Sequence, residues 1–329
     1  MTGGKNFRGT NCAAWCDASR KFLRPVIPHG TLTPASRSGF RRQLLISAAG
    51  ENLLCYSNRD TTKSSPRFAE AGLTASLPMY DWPELRSATD ALWAALAREL
   101  GVSAPLLRGG DHTAAWRDPA LLLSQTCGYP FTHRYRGTLA YVATPHYACD
   151  GCADAEYSSF IFARDTLPLE ALRGACAAVN APDSMSGMLA LKLVFAPLAR
   201  DGRFFGRAIE TGGHIASMIA VRDGRADVCA IDAICVALAR RDRPDLLEGL
   251  VEIARSPRVP GLPFVTGRKG DPARLRAALA KVFADPALAG VRAALFLEDL
   301  SNLPPAAYDR IPDLEGEMEQ QGGLTLLED

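Results

Sequence analysis

From Leu73 onward the sequence alternates short apolar runs with helical patterns, and that alternation commits the chain to α/β layers. Residues 75–80 read as a strand. Asp81 is placed to cap the segment that follows, and Pro83 suits a first helical position. Leu92, Trp93, Leu96 and Leu100 then share one helical face, with Gly101 as the stop. Residues 139–143, 159–163, 175–179 and 226–231 read as further strands. A helix is expected after Gly187, with Leu189, Leu193 and Val194 on one side, and others over 215–221 and 233–240. The alternation predicts parallel layers. Residues 157–164 and 250–265, the second with prolines at 257, 260 and 263, read as extended segments that could cross between lobes. No internal repeat is visible.

The length, 329 residues, is about twice a typical domain, so two lobes are the starting expectation. The formal net charge of +1 carries no footprint for nucleic acid or an anionic membrane. The balance hides a division. Residues 1–72 hold 11 Lys and Arg against 4 Asp and Glu, and the remainder holds 26 against 32. A basic leader of net +7 therefore precedes a mildly acidic globule of net −6. Bulk charge in the globule does not attract an anion, so any anion must be held locally. The leader lacks a sustained period and is rich in Ser, Thr, Arg, Gly and Asn. Within it, residues 41–46 faintly resemble a twin-arginine export signal and residues 53–55 a lipoprotein cleavage site. Gly50, Glu51 and Asn52 interrupt the apolar run that an export signal needs. No apolar run approaches membrane-span length.

Nine cysteines rule out complete intramolecular pairing. Cys149 and Cys152, separated by Asp150 and Gly151, are the close pair in the globule, and a local disulfide or two free thiols both fit. A zinc site would need two more ligands, and no second CxxC or HxxxH exists, so no metal is expected. Cys176, Cys229 and Cys235 lie in apolar runs and read as core.

Four places could carry chemistry. At 180–187 a strand ends, a polar loop follows and a helix begins. Free backbone N–H groups and the positive end of a helix make such a turn an anion site, to which Ser184 and Ser186 add hydroxyls. The alternative is an ordinary Ser cap. Thr211-Gly212-Gly213-His214 again precedes a helix; His214 could donate to an oxyanion or simply cap and pack. Asp232 ends a buried strand, where ligands of open α/β sheets bind, but it could equally cap the next helix. Gln125, Thr126 and Cys127 follow the apolar run 121–123, and Cys127 with His214 would make a nucleophile–base pair if the protein were an enzyme. Tyr80, Trp116 and Tyr157 could wall a cleft or lie in the core. No GxGxxG, P-loop, GxSxG or HExxH pattern is present.

Taken in order, these segments resemble the substrate-binding proteins of phosphate, phosphite and phosphonate ABC transporters. The likeness spans about 73–324. It rests on 75–81 (ASLPMYD), 125–130 (QTCGYP), Tyr157-Ser158-Ser159 and 180–187 (NAPDSMSG). It continues through Gly212-Gly213-His214, residues 220–227, Ile231-Asp232, Arg255-Ser256-Pro257, Tyr308-Asp309 and Gly322-Gly323. The resemblance implies a two-lobed type 2 periplasmic-binding fold, each lobe an α/β sandwich, with two hinge strands and the ligand in the cleft between lobes. Lobe 1 would comprise 73–160 and 253–329, lobe 2 residues 161–252. It implies a non-catalytic monomer outside the cytoplasm that needs no cofactor and passes a small polar, phosphonate-like anion to a membrane permease. A ligand-sensing module and an enzyme on the same fold are the rival readings. Ser184, Ser186 and His214 would hold the oxyanion, and Asp232 and Tyr157 an amine. Thr126 would line the cleft from the first lobe, with Tyr80 and Gln125 beside it. Met185 stands in mid-loop where a hydroxyl residue is usual, which removes one donor.

Overall fold

A computed structural model of the protein describes residues 72–109 and 111–327. The export-like features at 41–46 and 53–55 lie outside them. The described chain forms two lobes, each around a five-stranded sheet.

In lobe 1, β1 (Thr74–Ser76) leads through α1 (Arg86–Leu100) and α2 (His112–Arg117) to β2 (Leu121–Gln125). Next come α3 (Gly128–His133), β3 (Leu139–Tyr147) and the short strands β4 (Cys152–Ala153) and β5 (Glu156–Tyr157). Lobe 2 contributes β6 (Ser159–Ala163), β7 (Cys176–Val179), α4 (Ala190–Phe195) and β8 (Arg207–Glu210). It goes on with α5 (His214–Arg222), β9 (Val228–Asp232), α6 (Ala233–Asp242) and β10 (Val251–Arg255). The chain then returns through β11 (Val259–Pro260), β12 (Phe264–Gly267), α7 (Pro272–Ala284), α8 (Ala289–Ala294), β13 (Leu297–Ser301) and α9 (Arg310–Gln320).

The sheet orders are β1-β2-β12-β3-β13 and β10-β6-β9-β7-β8. Both are mixed, which corrects the expectation of parallel layers. β1/β2, β7/β8 and β7/β9 run parallel. The pairs β2/β12, β3/β12, β3/β13, β6/β9 and β6/β10 run antiparallel. The reason lies in the two crossing segments: the return strand β12 runs against β2 and β3, and the outward strand β6 runs against β9 and β10. β6, β7 and β9 are buried along their whole length, as continuous apolar runs covered on both faces should be.

α1 follows its pattern closely. Leu92, Trp93, Leu96 and Leu100 are buried, and Gly101 ends the helix at φ 65°, its N–H bonding the Ala97 and Arg98 carbonyls. The preceding segment departs from expectation. The strand stops at Ser76, since Pro78 has no N–H to continue a ladder. Asp81 caps nothing; Trp82 is the N-cap of a single 3₁₀ turn at Pro83–Leu85. The Asp81 carboxylate instead takes two bonds from the Arg108 guanidinium, at 2.5 and 3.2 Å.

The two crossing segments lie side by side. Phe160 pairs with Arg255, and Tyr157 with Val259. Ser159 N–H donates to Ser256 Oγ, and Ser256 N–H to the Ser159 carbonyl, both at 2.9 Å. These strands are the hinge about which the lobes can rotate. The C-terminal segment crosses back as well. Leu324 and Leu326 enter the core of lobe 2 beside Phe195 and Phe204, and Thr325 N–H bonds the Gly202 carbonyl.

Candidate functional site

Three strand-to-helix turns of lobe 2 face loops of lobe 1 across a cleft of about 370 Å³. Lobe 2 supplies Asn180, Asp183, Ser184, Ser186, Gly212, Gly213, His214, Asp232 and Cys235. Lobe 1 supplies Met79, Tyr80, Asp81, Trp82, His112, Trp116 and Cys127. No Lys or Arg is among the described residues that line it.

The first turn begins where β7 ends. Ser184 has extended backbone and its Oγ accepts from Gly187 N–H at 3.0 Å, so it is a helix cap, with its own hydroxyl proton still available. One π-type turn, Met185–Leu189, precedes α4. Gly187 is required there, because an added Cβ would collide with the Asn180 side-chain amide. The turn aims Ser186 at the second turn, where Ser186 Oγ lies 2.9 Å from His214 Nε2. Gly212, at φ 83°, lets the chain reverse into α5, whose first residue is His214. Burial drives the His214 pKa down to about 4, so the ring is neutral at physiological pH. A neutral imidazole keeps one N–H donor without adding charge.

The third turn carries Asp232. Its Oδ1 accepts from Ile234 N–H at 2.8 Å and Cys235 N–H at 3.3 Å, capping α6, and its Oδ2 accepts from the Tyr80 hydroxyl at 2.9 Å. The carboxyl is thus both cap and cleft group. Burial raises its pKa to about 6, against the lowering effect of those three bonds. The Tyr80 bond joins the lobes directly. A second link is the Met185 N–H donating to Cys127 Sγ at 3.4 Å.

The structure therefore brings Tyr80, Ser184, Ser186, His214 and Asp232 to one cleft. Gln125, Thr126, Tyr157 and Met185 lie behind its walls. Gln125 Nε2 is engaged by the Tyr147 hydroxyl and the Leu262 carbonyl, both at 3.0 Å. Thr126 is fully buried, and its N–H bonds the Pro263 carbonyl. The Met185 side chain is core. The Tyr157 hydroxyl points at Ser186. Among the described residues it has no hydrogen-bond partner, and neither do Asn180 Oδ1 and His214 Nδ1. Cys127 and His214 share the cleft without bonding each other, and burial pushes the Cys127 thiol up, the reverse of an activated nucleophile. Trp82 and His112 also line the cleft. No local pattern announces them, because lobe 1 loops reach the site only once both lobes are folded.

Among the described residues, no helix is long and apolar enough to cross a membrane. No curated protein sequence matches the chain at a significant level. Solved structures of similar fold do. A phosphonate transporter binding protein from Pseudomonas aeruginosa aligns at TM-score 0.62 and 16% identity, over 76% of this chain and 87% of its own. PhnD1 from Prochlorococcus marinus, in complex with methylphosphonate, aligns at 0.61 and 14%, over 75% and 98%. A Xanthomonas citri protein bound to ATP aligns at 0.57 and 18%, over 76% and 97%. These likenesses show the two-lobed type 2 periplasmic-binding fold. The family model for the ABC transporter, phosphonate, periplasmic substrate-binding protein matches residues 75–296. That match spans most of the described chain and both walls of the cleft, and it places the protein in the phosphonate ABC transporter family of periplasmic substrate-binding proteins, a family of binders rather than enzymes.

Proposed function

We propose that the cleft captures a small zwitterionic phosphonate, outside the cytoplasm, and that the closed form delivers it to a membrane permease. The observation that carries this reading is the Ser186–His214 pair at 2.9 Å, set beside the Ser184 cap and the start of α5. Two hydroxyls, a neutral imidazole and helix-terminal N–H groups are the donor set that holds an oxyanion without a cation. Carboxylates line the same cleft, one of them in the turn that carries Ser184. They are Asp183 and Asp232, while Asp81 is neutralised by Arg108. An ammonium group suits those carboxylates; a polyanion such as a triphosphate does not. Methylphosphonate in one similar structure presents phosphorus-bound oxygens, which supports the phosphonyl end of the reading.

Isothermal titration of the full chain tests the proposal with 2-aminoethylphosphonate, methylphosphonate, phosphate and sulfate. The aminophosphonate should bind tightest. Ser186→Ala should weaken it about tenfold to a hundredfold, the cost of one hydrogen bond to a charged group. Binding of no oxyanion, or full affinity in Ser186→Ala, would overturn the assignment.

A further inference from the structure

The turn holding Cys149 and Cys152 is tied to the hinge from both sides. Cys152 pairs with Tyr157, which pairs with Val259, so the turn continues into both crossing segments. The Ser158 N–H and hydroxyl both donate to the Gly151 carbonyl, at 2.8 and 3.1 Å. The Asp150 carboxylate takes two bonds from Arg255 of β10, at 2.7 and 2.8 Å, and lies 3.5 Å from Arg240 of α6. Gly151 sits at φ 90°, where a Cβ would strike Phe160 and Ala233. The turn thus joins the end of lobe 1's β3 to residues of lobe 2 through one fixed backbone path.

Cys149 Sγ and Cys152 Sγ lie 3.5 Å apart, and both residues are half-buried rather than enclosed. A disulfide bond is about 2.05 Å long, so side-chain rotation within this turn closes the gap. Among the described residues no group of three or more His, Cys, Asp or Glu could hold a metal, so the two thiols are not half of a larger ligand set. We propose that Cys149 and Cys152 form a reversible dithiol–disulfide site whose oxidation stiffens the hinge.

The oxidant is a disulfide, either a small one such as oxidised glutathione or that of a thiol oxidase. The Cys149 thiol loses its proton and attacks one sulfur of the oxidant, forming a mixed disulfide and releasing the first thiol. Cys152 then gives up its proton and attacks the Cys149 sulfur, forming the 149–152 bond and releasing the second thiol. The protein loses two hydrogens and two electrons, and the oxidant becomes two thiols. The neighbouring Cys149 and burial hold the Cys152 proton on.

The site rests on no assumption about the solute, and its test needs none. The full chain is incubated with oxidised or reduced glutathione, alkylated and mapped by peptide mass, with amide hydrogen exchange followed over 147–160. The oxidised sample should show a 149–152 link, two hydrogens lighter, while the enclosed Cys229 stays a thiol. Exchange over 147–160 should slow severalfold and recover with dithiothreitol. The double variant Cys149→Ser/Cys152→Ser should show no slowing. Free alkylation of both thiols after oxidation would overturn the site. A link that leaves exchange unchanged would overturn its effect on the hinge.

Discussion

The two walls of the cleft are built by different means. On lobe 2 some of the side chains that line the cleft also hold their own turns together. Ser184 caps the start of the π-type turn, Asp232 caps α6, and His214 opens α5. On lobe 1 the wall is largely aromatic, from Tyr80, Trp82 and Trp116. Trp116 Nε1 bonds Ser124 Oγ, and Tyr80 reaches across to Asp232. On the proposed reading, head-group recognition falls to the turns of lobe 2, and shape and closure to lobe 1.

The largest effect that could break this contrast is in the pH dependence of stability. Asp232 has a folded pKa near 6 against its ordinary 3.8. Its contribution is present in full below about pH 4 and is lost as pH rises through 6. His214 has a folded pKa near 4 against 6.5. Its contribution is present above pH 6.5 and is lost as pH falls through 4. The two changes are similar in size, each on the order of 3 kcal/mol. Between pH 4 and 6.5 the two oppose each other. Asp232→Asn keeps a competent cap, so its urea midpoint should fall as pH drops through that window. His214→Gln should rise instead. Equal, wild-type profiles in both variants would mean that the lobe 2 wall is not the buried, pretuned surface described here.

A smaller effect belongs to the bridge. Tyr80→Phe removes one interlobe hydrogen bond and leaves Asp232 Oδ2 without it. Stability should drop by about 1 kcal/mol, and the solute-free lobes should open, read by denaturant melts and small-angle scattering. An unchanged scattering profile would place closure elsewhere on lobe 1. The smallest effect is expected at Cys127. Its sulfur is a weak acceptor for the Met185 N–H, so Cys127→Ala should shift phosphonate affinity by less than about threefold by titration calorimetry. A loss as large as that of Ser186→Ala would move head-group recognition onto both walls.

Much of lobe 2 was legible because its signals are local. A strand, a turn of small or polar residues and a helix start occupy one short window, so Ser184, Ser186, His214 and Asp232 could be chosen from adjacent residues. The same holds for α1, whose apolar spacing and Gly101 are read within a few turns. The readings that failed were those needing a partner from far away. Asp81 has cap chemistry, yet Arg108 claims it. The β6/β10 antiparallel pair joins segments about ninety residues apart in sequence. Tyr80 and Asp232 meet across 152 positions. The sequence by itself determined the α/β layers and the turn chemistry, because periodicity and capping act over a turn or two. Only the tertiary structure decided which aromatics face the cleft, which polar groups lie behind it, and that two thiols share the hinge. Those facts come from packing between segments that no local window contains together.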